Sequence, residues 1–381
     1  SIKTTGSQSL RFNTTGYHNT ASGYLSLQST TSGYNNTSSG AQAMRKNTTG
    51  NHNVAVGTCS LYTNTTGIRN TAIGACSLRL STGGFNTAVG TYAASQTTTG
   101  ICNVAIGGEA MFYNTSGCMN TAVGFRTLQC NTTGCENTAV GMCSMFENVS
   151  GGMNTAVGRD ALAKNTCGWY NTANGRGAMK CNTTGFENSA SGYRAILANT
   201  TGGYNTALGS RALNSNTTAN RNVAIGYKAM LDNTTGHSNV AVGNNALENN
   251  TTGCYNTASG YNAGCTNSTG KHNTWSGYAA GKLNTTGCYN TASGYRALLY
   301  NSTGKFNTAF GGCALFCNTT SECNTGVGYN ALRDSTTGSQ NVAVGWAALK
   351  TNTTAHYNTA VGTGALHLNT TGASNVALGF K

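Results

Sequence analysis

A chain of 381 residues with 52 glycines and no proline is neither an ordinary set of globular domains nor a disordered linker, because both classes normally contain proline at ~5% or more. Charged residues make up only 8% of the chain, and the formal net charge of +13 is spread without a like-charge run, which argues against a nucleic-acid partner. No apolar run approaches the ~18 residues of a membrane span.

In chain order a single unit recurs: Asn-Thr-Ala-Val-Gly, two variable residues, Ala-Leu, two variable residues, Asn-Thr-Thr-Gly and two more variable residues. Numbering this unit 1 to 17, position 1 falls on Asn19, Asn36, Asn53 and Asn70, then on Asn86 and every 17 residues through Asn103, Asn205 and Asn307 to Asn375. Residues 2–18 are a degenerate first copy. The step from Asn70 to Asn86 is 16 residues, shortened at Leu80-Ser81-Thr82-Gly83.

Seventeen residues cannot hold a helical hairpin, and the apolar residues show no 3.6 period. Short extended segments at positions 1–5 and 8–11, with glycine corners at 5 and 15, fit the pattern. The expected fold is all-β, a parallel β-solenoid (β-roll) of about 22 turns of 17 residues. It forms one continuous domain over residues 1–381, on the order of 105 Å long at ~4.8 Å per turn. Ser1 and Lys381 fall inside repeats, so the expectation is a fragment or polymerising subunit with uncapped ends. A proline-free backbone suits a solenoid in which nearly every N–H is needed for inter-turn bonds.

Volumes indicate which side faces inward. Position 3 is nearly always Ala and position 9 nearly always Leu, Met or Ile. Trp275 breaks the rule at position 3, and Gly281 and Gly264 stand at position 9 of its own and the preceding turn. Such large-for-small compensation is required only where columns touch, so positions 1, 3, 5 and 9 are placed inside. Positions 2 and 4 then form an outward face, with Val56, Ile73, Val89, Ile106 and Val123 giving way to Ser259, Ser276 and Ser293. Another chain is expected to cover part of it.

The phrases Asn120 to Gly124 (Asn-Thr-Ala-Val-Gly) and Asn222 to Gly226 (Asn-Val-Ala-Ile-Gly) resemble the head repeats of YadA-like trimeric autotransporter adhesins and the repeats of viral tail-fibre-type proteins. The resemblance covers essentially the whole chain. It implies a left-handed parallel β-roll, often trimeric, serving in surface attachment. The longer turns, the fifteen cysteines and the lack of a visible stalk, neck or anchor depart from the adhesin pattern.

Two asparagine columns differ chemically. At position 12, Asn-X-Thr/Ser acceptor patterns for N-glycosylation occur at Asn13, Asn47, Asn64, Asn114, Asn131, Asn148, Asn182, Asn199, Asn216, Asn233, Asn250, Asn267, Asn284, Asn301, Asn318, Asn352 and Asn369. Position 1, where the residue two on is nearly always Ala, almost never carries the pattern and reads as an inward amide ladder. The alternative for position 12 is a bare turn in which Asn satisfies backbone groups.

Cys59 and Cys76 share position 7 on adjacent turns, and Cys118 and Cys135 share position 16. The ~4.8 Å step suits a disulfide in each pair. Cys254 and Cys288 lie two turns apart and should not pair. An odd number of cysteines leaves at least one thiol free or intermolecular. Aromatic columns at position 6 (Tyr261, Tyr278, Tyr295) and position 17 (Tyr255, Tyr289, Phe306) read as stacking ladders, or else as a sugar-stacking strip. No cysteine spacing is zinc-like, no thiol has a matching His and acid, and no calcium or phosphate loop appears.

No catalytic, metal or cofactor site is therefore expected. The functional expectation is a non-enzymatic, extracellular fibre or filament subunit, N-glycosylated along one edge and associating with itself end to end or laterally, with a trimer as one such arrangement and with glycans or cell-surface polysaccharide as further partners. The alternatives are a receptor-binding or adhesive head of a surface adhesin or virus fibre and, third, an ice-binding solenoid.

Overall fold

The structure, a computed structural model, describes residues 2–381. It contains no helix among them; its regular elements are 23 strands of three residues each, at positions 2–4 of every turn. The chain divides into two compact units, Ser1–Asn188 and Ser189–Lys381. The first holds β1 (Lys3–Thr5) to β11 (Thr172–Asn174) and the second β12 (Ser189–Ser191) to β23 (Val376–Leu378). Within each unit successive strands pair in parallel, position on position, as a β-solenoid. Where the sequence is one residue short, Thr71 pairs with Thr87 and Ala72 with Ala88, so the loop absorbs the deletion and the register survives.

The strand alternates as a pleat requires. Ala55 and Ala72 at position 3 are fully buried, while Val56 and Ile73 at position 4 stand outward.

The expected second strand at positions 8–11 is absent. Positions 7 and 9 adopt left-handed backbone conformations, φ 55° at Cys59 and 48° at Leu61, and the segment is a series of turns. Consecutive side chains, Ser60 and Leu61, both point into the core at 0% exposure, which an extended strand cannot do. The left-handed residues are tolerated because their N–H groups run along the stack. Cys59 donates to the Ala41 carbonyl of the preceding turn (3.0 Å) and Leu61 to the Ser77 carbonyl of the next (3.0 Å).

Position 5 also differs from expectation. Gly57 is half-buried at a corner rather than inside. Its φ is +129°, and a Cβ there would lie 2.6 Å from the Gly74 carbonyl oxygen one turn on, so both the corner and the close approach require glycine. At positions 13 to 15, the N–H groups of Thr48, Thr49 and Gly50 converge on the Thr65 carbonyl at 3.0–3.1 Å. With almost every amide committed, proline has no place in the turn.

Trp275 is fully buried between Ala258 and Ala292 of the neighbouring strands. A Cβ on Gly264 would lie 2.5 Å from its Cε3, and one on Gly281 1.9 Å from its Nε1, so a leucine at either site would collide with the ring. The indole N–H has no hydrogen-bond partner. Trp275→Ala should destabilise the second unit by about 3–5 kcal/mol. Adding Gly264→Leu and Gly281→Leu, which restore the usual core residues, should recover most of that loss, whereas Gly281→Leu alone should be as damaging as the cavity. Denaturant midpoints of the variants check this.

Candidate functional site

Two amide ladders form the interior wall. At position 1, the Asn53 N–H and Nδ2 donate to Asn36 Oδ1 (3.0 and 3.2 Å), and the same Nδ2 donates to the Gly67 carbonyl (2.9 Å). At position 12, Asn64 Nδ2 donates to Asn47 Oδ1 (2.9 Å) and to the Gly67 carbonyl (3.1 Å). In the second unit this ladder runs unbroken from Asn199 through Asn216, Asn233, Asn250, Asn267, Asn284 and Asn301 to Asn318.

That arrangement corrects the glycosylation reading. Asn47, Asn64, Asn114, Asn131, Asn148, Asn182, Asn199, Asn216, Asn233, Asn250, Asn267, Asn284, Asn301, Asn318 and Asn352 are all 0% exposed. A sugar must be attached through Nδ2, which here is enclosed and donating into the turn. Asn13 and Asn369 are half-buried, and their Nδ2 atoms donate to Gly16 (3.0 Å) and Gly372 (2.8 Å). The acceptor pattern at position 12 follows from the turn: the amide fills the interior, and Thr48 Oγ1 at position 13 donates to the Thr65 carbonyl of the next turn (3.0 Å).

Breaks in the position 12 ladder leave buried polar atoms without partners. Thr30, Ser81 and Thr97 stand there in place of Asn. Their hydroxyls, and the Asn13 and Asn64 Oδ1 atoms facing the first two gaps, make no hydrogen bond.

All fifteen cysteines are free thiols, so the expected cross-links are not formed. Cys59 directs its Sγ to Gln42 Oε1 (3.8 Å) rather than to Cys76. Cys118 and Cys135 do meet, Sγ to Sγ at 2.8 Å, beyond the ~2.05 Å of a covalent bond. The hydrogen bond with Cys135 pushes the Cys118 thiol up to about 11, with burial and the charges of Cys135, Glu136 and Cys102 acting in the same direction.

The aromatic ladders are stacks. Tyr255, His272, Tyr289 and Phe306 lie nearly parallel with centroids 4.9, 4.8 and 5.1 Å apart. Tyr261, Tyr278 and Tyr295 repeat at 5.4 Å. Inside these stacks the neighbouring rings occupy the ring faces, leaving edges outward, so a sugar cannot lie flat on an internal member. His272 belongs to the first stack.

Sequence reasoning missed the distribution of charge around the turn. Charged residues occur only at positions 6, 7, 10, 11, 16 and 17, apart from Lys3. Contacts between residues 20 apart bring position 10 beside position 7 of the preceding turn, as in Lys180 to Asp160 (3.7 Å) and Gln129 Nε2 to Glu109 Oε2 (2.7 Å). Positions 6, 7, 10 and 11 therefore form one polar edge, and positions 2 and 4 form an outward strand face that is uncharged beyond Lys3. Among the described residues no group of three His, Cys, Asp or Glu side chains is arranged to hold a metal.

Asn148 donates to Asn131 Oδ1 and to the Gly151 carbonyl, and accepts from Asn165. Asn148→Ala should cost about 2–4 kcal/mol, through the lost bonds and the stranded Asn131 oxygen, and Asn148→Thr should cost less; urea melts of the variants measure this. Treatment with a small-molecule disulfide should join Cys118 to Cys135, both thiol protons and the electron pair passing to the reagent as two free thiols. The reaction should keep accelerating with pH up to about 11, where the raised Cys118 thiol ionises. Cys254 and Cys288 should remain unpaired in the same peptide map.

No protein-family model matches the chain, and no curated protein matches it.

Proposed function

We propose that this chain is a structural, non-catalytic element of an extracellular fibre, whose solenoid units associate laterally with further copies through the strand face. The observation that carries the reading is the contrast between the two outward surfaces. The face at positions 2 and 4 is built mainly from Thr, Val, Ile and Ser, with Asn174, Leu208, Phe310 and Leu378 as exceptions at position 4, and exposes Ile73, Ile106 and Val157 at 40% each, while nearly all charge lies elsewhere on the turn. A flat, periodic, uncharged surface matches a second copy of itself, turn against turn, without burying an unpaired charge. Resemblance to adhesin-head and tail-fibre repeats supports the extracellular setting, as does a backbone most of whose amides are bonded between turns and so resist proteolytic opening. The glycan coat is no part of this reading.

An adhesive head is the second reading, and the polar edge with its aromatic–cation pairs favours it. The two differ in what the strand face does. Ile73→Lys with Ile106→Lys changes only outward positions and should leave the circular dichroism spectrum and melting unchanged. If the fibre reading holds, the parent chain sediments as an oligomer and the double variant as a monomer. A parent chain that stays monomeric at high concentration refutes lateral assembly.

A further inference from the structure

The polar edge of the second unit has the features of a binding surface for a polymer. Arg194, Arg211 and Lys228 occupy position 7 of three successive turns. Their backbones are locked at φ 54°, 60° and 55°, and the Arg211 N–H is tied to the Tyr193 carbonyl (2.8 Å) and the Lys228 N–H to Ser210 (3.0 Å). The cations thus project from one edge at one per turn, ~4.8 Å apart. Tyrosines at position 6 lie beneath two of them, Arg194 over Tyr193 (5.1 Å) and Lys228 over Tyr227 (5.4 Å), and beneath Arg296 further along, over Tyr295 (5.0 Å); Arg211 has Ser210 at that position.

Further along the same edge, a groove of about 270 Å³ opens between positions 7 and 10, walled by Arg296, Phe316, Tyr329 and Arg333. Tyr329 is not part of a ring stack; it leans over Gly312, whose added Cβ would meet Tyr329 Cδ2 at 3.1 Å, and the ring is 54% exposed. Arg333 is held by Asp334 (Nε to Oδ1, 2.7 Å), which leaves Arg296 as the uncompensated cation of the groove. Arg194, Arg211 and Arg296 have no ion-pair partner among the described residues; Lys228 meets Glu248 at 3.5 Å.

We propose that this edge binds a linear anionic polysaccharide. An acidic sugar would sit in the groove with its charge on Arg296 and its apolar face on Tyr329, while charges elsewhere on the polymer lie along Lys228, Arg211 and Arg194. A chain of acidic sugars with one charge per residue repeats on a scale comparable with one turn, so polymer and cation rank run in step. Duplex DNA does not match: it carries a charge every ~1.7 Å, far denser than one cation per turn. The inference is independent of lateral assembly, because it uses a different surface.

The test measures binding of the full chain to immobilised polygalacturonate, dextran sulfate, neutral dextran and duplex DNA over a salt series from about 50 to 200 mM. Binding to either or both acidic polysaccharides but not to neutral dextran is expected; which one binds tells carboxylate from sulfate recognition. Arg194→Gln with Arg211→Gln should lower the slope of log affinity against log salt by about two, and Arg296→Gln should weaken binding on the order of tenfold. Lys271→Gln with Lys305→Gln, at position 16 away from this edge, should leave binding intact. Equal loss in that control, preference for DNA, or no binding at the lowest salt would overturn the proposal. Unchanged melting of each variant separates lost binding from lost fold.

Discussion

Satisfaction of buried asparagine amides in register is the constraint on which the rest of this molecule depends. The position 1 side chains from Asn19 to Asn358 are buried; Asn36, for example, accepts from both the backbone and the side-chain amide of Asn53 one turn on, and Asn53 accepts from the backbone amide of Asn70. Leaving such a group unpaired costs about 1–3 kcal/mol, and an offset of one residue would strand the whole column. This explains why the missing residue of residues 80–83 lies in the loop: the position 1 ladder still passes from Asn70 to Asn86 (3.0 Å), while the position 12 ladder is interrupted at Ser81.

Once stacking is enforced, other features follow. Left-handed backbones at positions 7, 9 and 17 would be unfavourable in an isolated turn, yet every repeat uses them because their N–H groups reach carbonyls above or below. They also turn positions 8 and 9 inward together, so an Ala or Ser and a Leu fill a core only one short strand wide. Rings at one position come to within 5 Å and stack, as His272 does on Tyr289. Apart from Lys3, most of the charges that are dispersed in sequence are gathered at positions 6, 7, 10 and 11, with the remainder at positions 16 and 17.

On the proposed reading, function belongs to ranks rather than to a cleft. The strand face presents an uncharged, periodic surface suited to self-association, and the polar edge presents cations and tyrosines at the repeat of the fold. Because both surfaces are generated by the same 17-residue period, substitutions at outward positions can change either one without disturbing the amide ladders beneath.

The sequence by itself determined the repeat length, the parallel stacking, the inward face of the strand and the Trp275–Gly264–Gly281 compensation, because periodicity and side-chain volume are properties of residue order. It could not decide the direction of the position 12 amide: Asn-Thr-Thr-Gly is both a sugar acceptor and a turn, and only the backbone path shows Nδ2 enclosed. Nor could it reveal consecutive inward side chains at positions 8 and 9, since left-handed leucine is not signalled by residue type. The polar edge, too, arises only when positions 7 and 10, separated by 20 residues between turns, are folded against each other. Tertiary structure decided these points because each depends on what the neighbouring turn supplies.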